Sequence, residues 1–509
     1  MKEYAAIFVG TGSGMNLLGP FLEKEPVAKV AVIDKDDPGG ICLTRGCIPS
    51  KLLLYPADVL RTICSAEKFG IEASVKKVDF EKVMERMASL ISKDIENIRN
   101  SLKHMPNIDY YPYPAEFTGP YTLKVNNETI KAPLIFLCAG SKPLIPPVHG
   151  LEKVPYLTSD TVLKLRKLPA SIGIIGGGYI AAEYGHFFSA MGSKVTIIGR
   201  GAQFLPQEEP EVSALAAAEM EKVLTLLTNN EVVEVGTGFM GKKHIIAVDR
   251  ATKKRTTITV DEILLAVGRS SNSDILKPEV GGIKVDGKGW IQVNEYLETS
   301  VPNIWAFGDA IGRYLFKHVA NYESMVVYRN AILKQPIKAE YPGVPHAVFT
   351  HPEIASVGLR ENEAIEKYGR DNVLLGIAKF EDTAKGMAMA VEGYFVKLIA
   401  ENDTERILGA HIIGPQASVL LQEIVNQMHA PGGSAKGLKE SMYIHPALNE
   451  VVERAAASLV PVGLYHDMLD HEKGHHSHGA EGHDHSHGNG HEHSDDDGHD
   501  HSHDDGHTH

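Results

Sequence analysis

The sequence is short of cysteine and of long apolar runs, and each shortage excludes a class of protein. Four cysteines in 509 residues are too few for the disulfide framework of a secreted protein, so a cysteine pair here is expected to be catalytic or metal-binding. No apolar run approaches the ~18 residues that would span a bilayer, and the N-terminus shows no basic region, apolar region or cleavage site. These features predict a cytoplasmic protein without a membrane-spanning segment.

The negative charge is concentrated at one end of the chain. Of the net charge of −14, residues 467–509 contribute −11 through 12 acidic residues and one lysine, which leaves −3 for the rest. The main body therefore has no basic stripe, and this argues against a nucleic-acid partner. Its composition, with 43% hydrophobic residues in the whole chain, is that of globular domains with substantial cores.

Two segments have the pattern of a strand that runs into a glycine loop. In the first, an apolar run over residues 4–9 leads to glycines, a helix-compatible segment and a second strand that ends in an acid. A loop without side chains at a helix N-terminus can bind a pyrophosphate, and the acid can bind ribose hydroxyls. An ordinary tight turn is the alternative, because Met15 stands where a third glycine is expected. The predicted nucleotide-binding residues are Gly10, Gly12, Gly14 and Asp34.

The second segment repeats the pattern over residues 172–198. Here the strand after the loop ends in Gly199 and Arg200 instead of a carboxylate. An acid would repel a 2′-phosphate, whereas an arginine can bind it, so NADPH is favoured over NADH. If Arg200 is only a solvated loop residue, the choice of nucleotide stays open. The residues predicted to bind the second nucleotide are Gly176, Gly178, Ala181 and Arg200.

Cys42 and Cys47 lie beyond the first glycine loop, in the run 39–51. Two thiols at this spacing can close a reversible disulfide, which would store two electrons beside the predicted dinucleotide site. Two unrelated buried thiols are one alternative. Half of a zinc site is another, although the nearby sequence offers no further cluster of ligands. Cys64 and Cys138 are predicted to be buried apolar residues.

Over residues 3–465 the sequence resembles the FAD-dependent pyridine nucleotide-disulfide oxidoreductases with a Cys-x4-Cys pair. This family includes dihydrolipoamide dehydrogenase, glutathione reductase, mycothione reductase and mercuric reductase. The resemblance implies FAD, NADPH or NADH, a small disulfide or dithiol substrate, and a homodimer. The motifs that carry it are 39–51, 176–183, 267–269, 300–309, 349–358 and 445–450.

The resemblance also implies roles at the cysteine pair. Cys47 would meet the flavin, Cys42 would exchange with the substrate, and Lys51 would lie near the flavin, paired with Glu183. Arg45 departs from the family pattern. We hypothesise that its cation either favours the thiolate or binds an anionic substrate, unless it simply faces solvent.

Further roles follow for residues elsewhere in the chain. His445 would be the acid-base catalyst, oriented by Glu450 and supplied across the dimer interface. Tyr179 would gate the nicotinamide pocket. The remaining cofactor contacts implied by the resemblance are Lys51, Ala115, Ser141, Gly268, Arg269 and Asp309.

The predicted architecture is α/β, with two Rossmann-like domains for FAD and NAD(P), a C-terminal α+β dimerisation domain and a disordered tail. The expected boundaries are 1–152 with 269–335 for the FAD domain, 153–268 for the NAD(P) domain, 336–465 for the dimerisation domain and 466–509 for the tail.

The tail holds 15 histidines among acids and glycines, and almost nothing apolar with which to build a core. Such a segment can bind Ni²⁺, Zn²⁺ or Cu²⁺ loosely, or it can be a solubilising acidic tail. It has no cysteine, so the C-terminal cysteine pair of mercuric reductase is missing. The candidate metal ligands are His475, His476, His478, His483, His485 and His487.

Different motifs point to different substrates. The run 47–51 looks most similar to dihydrolipoamide dehydrogenase, which is the first expectation. Residues 10–14 and 317–321, with the pair Ala181 and Arg200, look more similar to mycothione or glutathione reductase. A metal-binding protein that has lost turnover is the remaining alternative, and the presence of all six candidate catalytic residues argues against it.

Overall fold

Two parallel five-stranded sheets form the framework of the part of the chain that the computed structural model describes, residues 1–468. The three central strands of the first sheet are buried along their whole length. Such continuous apolar strands are typical of parallel sheets that are covered on both faces. In spatial order, the strands of the first sheet are Ile304–Ala306, Ile135–Leu137, Ala6–Val9, Val30–Ile33 and Ile108–Tyr111.

The second sheet repeats this plan. The helix Met15–Lys24 connects two adjacent parallel strands of the first sheet, and the helix Tyr179–Met191 does the same in the second. Each sheet therefore contains a βαβ unit that begins at a glycine loop, as the sequence predicts. In spatial order, the strands of the second sheet are Leu157–Thr158, Glu262–Leu265, Ser171–Ile175, Lys194–Ile198 and Thr225–Leu227.

A six-stranded antiparallel sheet follows in the C-terminal part. The helices Ala417–His429 and Glu450–Ala457 share one apolar core with this sheet. The core includes Ala410 and Ile412 of the sheet and Ile424 and Val452 of the helices. In spatial order, its strands are His346–Val348, Glu353–Gly358, Ile407–Gly414, Phe395–Glu401, Val373–Lys379 and Val460–Pro461.

Two smaller sheets and further helices accompany these three sheets. A four-stranded sheet consists of Lys2–Glu3, Glu128–Lys131, Thr122–Val125 and Ala115–Gly119, and a three-stranded sheet of Asn230–Thr237, Lys243–Asp249 and Arg255–Val260. The remaining helices are Gly40–Arg45, Cys47–Cys64, Phe80–His104, Pro210–Glu221, Ser273–Leu276, Lys317–Val327 with a π-helical turn Tyr328–Ile332, Glu361–Tyr368, Ala384–Ala388 and Lys436–Glu440.

A two-stranded antiparallel ribbon joins the two parallel sheets. Its strands, Ser141–Pro143 and Arg269–Ser271, follow the first and the second sheet respectively and pair with each other. Glycines with positive φ, Gly140 at 67° and Gly268 at 114°, precede the two strands. The chain therefore leaves the first sheet and returns to it at one place.

The predicted fold class is confirmed as α/β, with two dinucleotide-binding folds and a C-terminal domain. The longest described helix, Phe80–His104, is amphipathic, and Asp79 caps it by accepting a hydrogen bond from the Lys82 amide. Within residues 1–468, no helix is both long and apolar enough to cross a membrane. The tail predicted to be disordered lies outside the described residues from 469 on, and residues 462–468 are helical.

The prediction for Cys64 is wrong. It is the last residue of the helix Cys47–Cys64 and is exposed, because the buried positions of that helix lie in its first three turns. Cys138 is partly buried at the end of the strand Ile135–Leu137, and burial raises the pKa of its thiol.

Candidate active site

The first glycine loop needs glycine for a close approach between chain segments. Gly10 has φ of 105°, and a Cβ placed there would lie 2.1 Å from the carbonyl oxygen of Cys138. The Thr11 amide and hydroxyl both donate to Asp34 Oδ2, at 2.9 and 2.5 Å. Burial raises the pKa of Asp34 above its usual value, although these hydrogen bonds oppose the shift. The acid at the end of the second strand is thus held against the loop.

The second glycine loop has the same construction. Gly176 has φ of 137°, and a Cβ there would lie 2.2 Å from the carbonyl oxygen of Ala266. A Cβ placed on Gly178 would have no atom within 4 Å other than those of its own chain neighbours. The helix Tyr179–Met191 begins at the next residue. The loop therefore presents free amides at a helix N-terminus with room for an anion. Ala181 is fully buried inside that helix.

The two thiols lie at a break between two helices. Cys42 belongs to the helix Gly40–Arg45, and Cys47 begins the helix Cys47–Cys64 after Gly46. Both are free thiols that share a hydrogen bond. This hydrogen bond and the nearby Lys51 ammonium outweigh desolvation and lower the pKa of Cys47 to about 7, whereas the same hydrogen bond and burial raise the pKa of Cys42. Of the two thiols, Cys47 is therefore the one that loses its proton more readily.

Lys51 lies one turn after Cys47 on the same helix, where an i, i+4 residue shares its face. Its Nζ donates to both carboxylate oxygens of Glu183, at 2.8 Å each, and lies 4.4 Å from the centre of the Phe349 ring. Glu183 is 8% exposed and also accepts from the Phe349 amide at 3.2 Å. Lys51 and Glu183 are thus in direct contact, as predicted, and this ion pair holds a cation beside the thiols.

We expect Cys47 in the fully reduced protein to react with iodoacetamide along a titration centred near pH 7, because only the thiolate is nucleophilic. The measurement is the alkylation rate against pH in a Cys64→Ser background. Cys42→Ala and Lys51→Met should each move the midpoint upward, since each removes a group that stabilises the thiolate. A midpoint near the ~8.5 of an ordinary thiol in the parent protein would contradict this assignment.

Arg45 lies next to the thiols but is engaged by two carboxylates. Its Nη2 lies 2.5 Å from Asp36 Oδ2, and its Nε lies 3.2 Å from Asp160 Oδ2. The side chain is only 20% exposed. These pairs neutralise much of its charge locally, so an anionic substrate would have to compete with them for the guanidinium.

A second polar cluster lies where the joining ribbon meets the first sheet. Ser141 Oγ donates to Asp309 Oδ2 at 2.5 Å, and Arg269 donates to the Ser141 hydroxyl at 2.6 Å and to its carbonyl oxygen at 3.0 Å. Burial raises the pKa of Asp309, although the Ser141 hydrogen bond and the Arg269 charge oppose the shift. The three residues predicted from separate motifs therefore form one hydrogen-bonded group.

His445 and Glu450 form a pair in the C-terminal domain. Nδ1 of His445 lies 2.7 Å from Glu450 Oε1, and Glu450 Oε2 accepts from the Ala447 amide at 3.0 Å. The hydrogen bond from His445 is the largest cause of a lowered pKa at Glu450, so the carboxylate accepts and Nδ1 carries the hydrogen. Nε2 is then the free basic nitrogen. The His445 side chain is 72% exposed.

One large cavity, about 1050 Å³ in volume, brings most of these groups together. Among the predicted residues, it is lined by Gly10, Gly12, Asp34, Cys42, Cys47, Lys51, Ala115, Tyr179, Glu183, Arg269 and Asp309. The other predicted residues within 1–468 do not line it: Gly14, Ser141, Gly176, Gly178, Ala181, Arg200, Gly268, His445 and Glu450. The six candidate metal ligands of the tail lie outside the described residues.

Several residues of the cavity were not predicted. Thr11 holds Asp34, as described above. Lys317 Nζ donates to Ser13 Oγ at 2.9 Å, and Ser13 Oγ in turn lies 3.0 Å from Asn321 Oδ1. Lys317 lies in the segment 317–321, which the sequence marks only as similar to mycothione or glutathione reductase. Its charge lowers the pKa of Cys42, against the larger effects of Cys47 and burial.

The cavity fits a dinucleotide. Gly12 and Gly40 approach so closely that a Cβ on Gly40 would lie 2.5 Å from Gly12 Cα, whereas a Cβ on Gly12 would meet only Gly40, at 3.6 Å. Glycine at position 40 is therefore needed for the two backbones to approach so closely, and Gly12, Asp34, both thiols and Lys51 line the same cavity.

Comparison with family models gives the class of this site. Residues 4–329 match the model described as pyridine nucleotide-disulphide oxidoreductase, and residues 344–456 match the dimerisation domain of the same family. The chain therefore belongs to the pyridine nucleotide-disulfide oxidoreductases. It is a flavin-dependent disulfide oxidoreductase of class I, and FAD with a pyridine nucleotide is confirmed as its cofactor set.

Similar proteins fall into more than one substrate group. The chain is 37% identical to mycothione reductase of Mycobacterium tuberculosis, over 90% of this chain and 100% of that protein. It is 33% identical to dihydrolipoyl dehydrogenase of Synechocystis, over 89% of this chain and 98% of that protein. Among solved structures, the HOCl-induced flavoprotein disulfide reductase RclA from Escherichia coli, as its Cu(II) complex, matches with a TM-score of 0.79 and 26% identity, over 90% of this chain and 99% of that one.

Proposed function

We propose that the protein reduces a small disulfide at the expense of NADPH, with Cys42 and Cys47 as the redox pair. The observation that carries this proposal is the asymmetric thiol pair, which lies in the cavity beside the Lys51 and Glu183 ion pair. The full-length similarity to mycothione reductase supports a low-molecular-weight disulfide as substrate.

The thiols would carry out two exchanges. Cys42, once deprotonated, attacks one sulfur of the substrate disulfide, forming a mixed disulfide and releasing the first thiol. Cys47 then attacks the Cys42 sulfur, which releases the second thiol and leaves a Cys42–Cys47 disulfide. Two electrons and two protons pass to the substrate. The raised pKa of Cys42 creates the need for a base, and the free Nε2 of His445 suits that role.

Bound FAD would supply the two-electron carrier that takes hydride from the nucleotide and restores the dithiol. Gly10, Gly12 and Asp34 would hold its adenosine half, and Asp309 its ribityl-phosphate region. Lys51 would keep a fixed positive charge beside the ring.

For the pyridine nucleotide, we propose the second glycine loop, with Tyr179 bordering the nicotinamide and Arg200 facing a 2′-phosphate. Arg200 follows the strand Lys194–Ile198 and is 71% exposed, with Glu231 Oε1 3.5 Å from its Nε. A ligand phosphate can therefore reach the guanidinium.

Arg200→Ala should lower kcat/KM for NADPH roughly ten- to a hundredfold and leave kcat/KM for NADH nearly unchanged, because a hydrogen bond between charged groups is lost only with the phosphorylated nucleotide. Steady-state kinetics with both nucleotides measure this. Arg250→Ala, which changes an arginine that donates to the Arg200 carbonyl, is the control. Equal losses for both nucleotides would assign Arg200 a structural role.

Dihydrolipoamide is the second candidate substrate, favoured by the run 47–51 and by the full-length similarity to dihydrolipoyl dehydrogenases. The test is a comparison of NADPH-dependent reduction of mycothione, glutathione disulfide and lipoamide with NAD⁺-dependent oxidation of dihydrolipoamide. Fast reduction of mycothione or glutathione disulfide supports the proposal. Efficient turnover with dihydrolipoamide alone would replace it by the second candidate.

A homodimer is part of this proposal, with domains at 1–152 and 269–335 for FAD, 153–268 for NADPH and 336–465 for dimerisation. The match to the family's dimerisation domain supports it. So does the segment before His445, where Met442 and Ile444 are 102% and 80% exposed, an arrangement expected of a surface that a partner covers.

We also propose that the histidine-rich tail binds divalent metal. The evidence is its composition alone, since no group of three or more suitable ligands occurs within residues 1–468. The full-length enzyme should bind several Zn²⁺ or Ni²⁺ ions in a calorimetric titration, and the enzyme truncated after Met468 should bind none. Equal binding by both forms would place the metal elsewhere.

A further inference from the structure

The segment that precedes the helix Pro210–Glu221 lies against the second glycine loop. The Leu205 amide donates to the Gly177 carbonyl oxygen at 2.9 Å, and both Phe204 and Leu205 are buried. Gly177 and Leu205 lie almost thirty positions apart in the sequence. Their hydrogen bond holds the segment against the loop that is proposed to bind the pyrophosphate. The segment then continues into Glu208, which is fully buried.

Glu208 is the hydrogen-bond acceptor for two residues of the C-terminal sheet. His346 Nε2 lies 2.8 Å from its Oε1, and Ser356 Oγ donates to its Oε2 at 2.7 Å. The hydrogen bonds and the His346 charge outweigh burial and lower the pKa of Glu208. The carboxylate therefore accepts, and His346 carries a hydrogen on Nε2. A fully buried carboxylate with two fixed donors leaves the imidazole little freedom to rotate.

The ring that Glu208 fixes lies in the wall of the cavity, among aromatic side chains. The His346 ring stacks on Tyr179, with ring centres 5.5 Å apart and an interplanar angle of 23°, and on Phe316, at 6.0 Å and 4°. Tyr179 directly follows Gly178 in the second glycine loop. Both ends of this loop are thus held by one chain segment: Gly177 through Leu205, and Tyr179 through Glu208 and His346.

We propose that His346, oriented by Glu208, is a positioning residue that holds Tyr179 in place and so determines how tightly the cavity binds the nicotinamide half of the nucleotide. This inference rests on the proposed role of Tyr179. It adds two residues from other parts of the chain, neither of which belongs to a glycine loop or to the thiol pair.

The test compares His346→Leu, which removes the aromatic ring, with His346→Phe, which retains a ring but cannot donate to Glu208. Both variants are measured as FAD-loaded enzymes, and thermal denaturation checks that each one is folded. We expect His346→Leu to raise KM for NADPH and the Kd of NADP⁺ about three- to tenfold, the effect of losing an aromatic pair, while kcat changes less than about twofold. His346→Phe keeps a ring against Tyr179 but loses the hydrogen bond to Glu208, so it should recover only part of this loss.

The coupling to Tyr179 is measured by a double-mutant cycle. In a Tyr179→Ala background, His346→Leu should have no further effect on the Kd of NADP⁺. Additive effects would show that His346 does not act through Tyr179 and would overturn the proposal. So would an unchanged Kd in His346→Leu, or a Phe variant as impaired as the Leu variant.

The readouts separate this inference from the proposed function. The Kd of NADP⁺ is measured by calorimetry without any disulfide, and turnover is measured with ferricyanide, an artificial acceptor that needs no thiol pair. If mycothione and glutathione disulfide are not reduced but the His346 effects are present, the substrate assignment fails and the positioning role stands.

Discussion

Serine in place of either Cys42 or Cys47 should lower disulfide-dependent turnover by at least about a thousandfold, because each substitution removes a residue that would form and break a covalent bond. A hydroxyl at position 42 cannot form the mixed disulfide, and a hydroxyl at position 47 cannot resolve it. Reduction of ferricyanide by NADPH should persist in both variants, because that reaction bypasses the thiols. Steady-state rates with both acceptors measure the difference.

Cys64→Ser is the matched control for this experiment. Cys64 is an exposed free thiol at the far end of the helix that begins with Cys47, and its replacement should leave both activities unchanged. Full disulfide turnover in Cys42→Ser or Cys47→Ser would refute the assignment of the redox pair.

Replacing His445 with alanine should lower disulfide turnover about a hundred- to ten-thousandfold, the usual range for a general acid-base group. Glu450→Gln should have a smaller effect, since a neutral amide still accepts from Nδ1 but stabilises the imidazolium less. Steady-state rates with the disulfide measure both. His429→Ala, a change at an exposed histidine of the same domain, is the control and should be neutral.

Mixed dimers test where His445 acts. If it serves the partner's thiols, a dimer of one Cys42→Ser subunit and one His445→Ala subunit contains one intact site and is active, although each parent homodimer is not. If His445 serves its own subunit, both sites of the mixed dimer carry a defect. Activity at the level of the inactive parents would then contradict the proposal.

The elements of the fold were predictable where local pattern and burial agree. The pattern over residues 172–198 predicts a strand that ends before Gly199, and the structure has Lys194–Ile198 there, with four of its five residues buried and apolar or β-branched. The prediction that Cys64 is buried was wrong. It relied on the usual burial of cysteine, and the sequence does not show that the last residues of this helix are exposed.

The site was predictable only in part. The pairing of Lys51 with Glu183, 132 residues apart, came from the family resemblance, because no local pattern connects them. The contact between Glu208 and His346, 138 residues apart, could not be predicted, since it depends on how the C-terminal sheet meets the second glycine loop. Such contacts are set by tertiary packing, which periodicity does not report.

The ribbon of Ser141–Pro143 and Arg269–Ser271 has a consequence for how this architecture can change. Because these strands are hydrogen-bonded neighbours, the two ends of the intervening segment lie one strand spacing apart, about 5 Å. To the remainder of the molecule, more than a hundred residues are geometrically equivalent to a hairpin loop. Such an insertion can change in length and sequence without displacing the two strands of the ribbon, provided that it keeps the contacts of Glu183 with Lys51 and of Glu208 with His346.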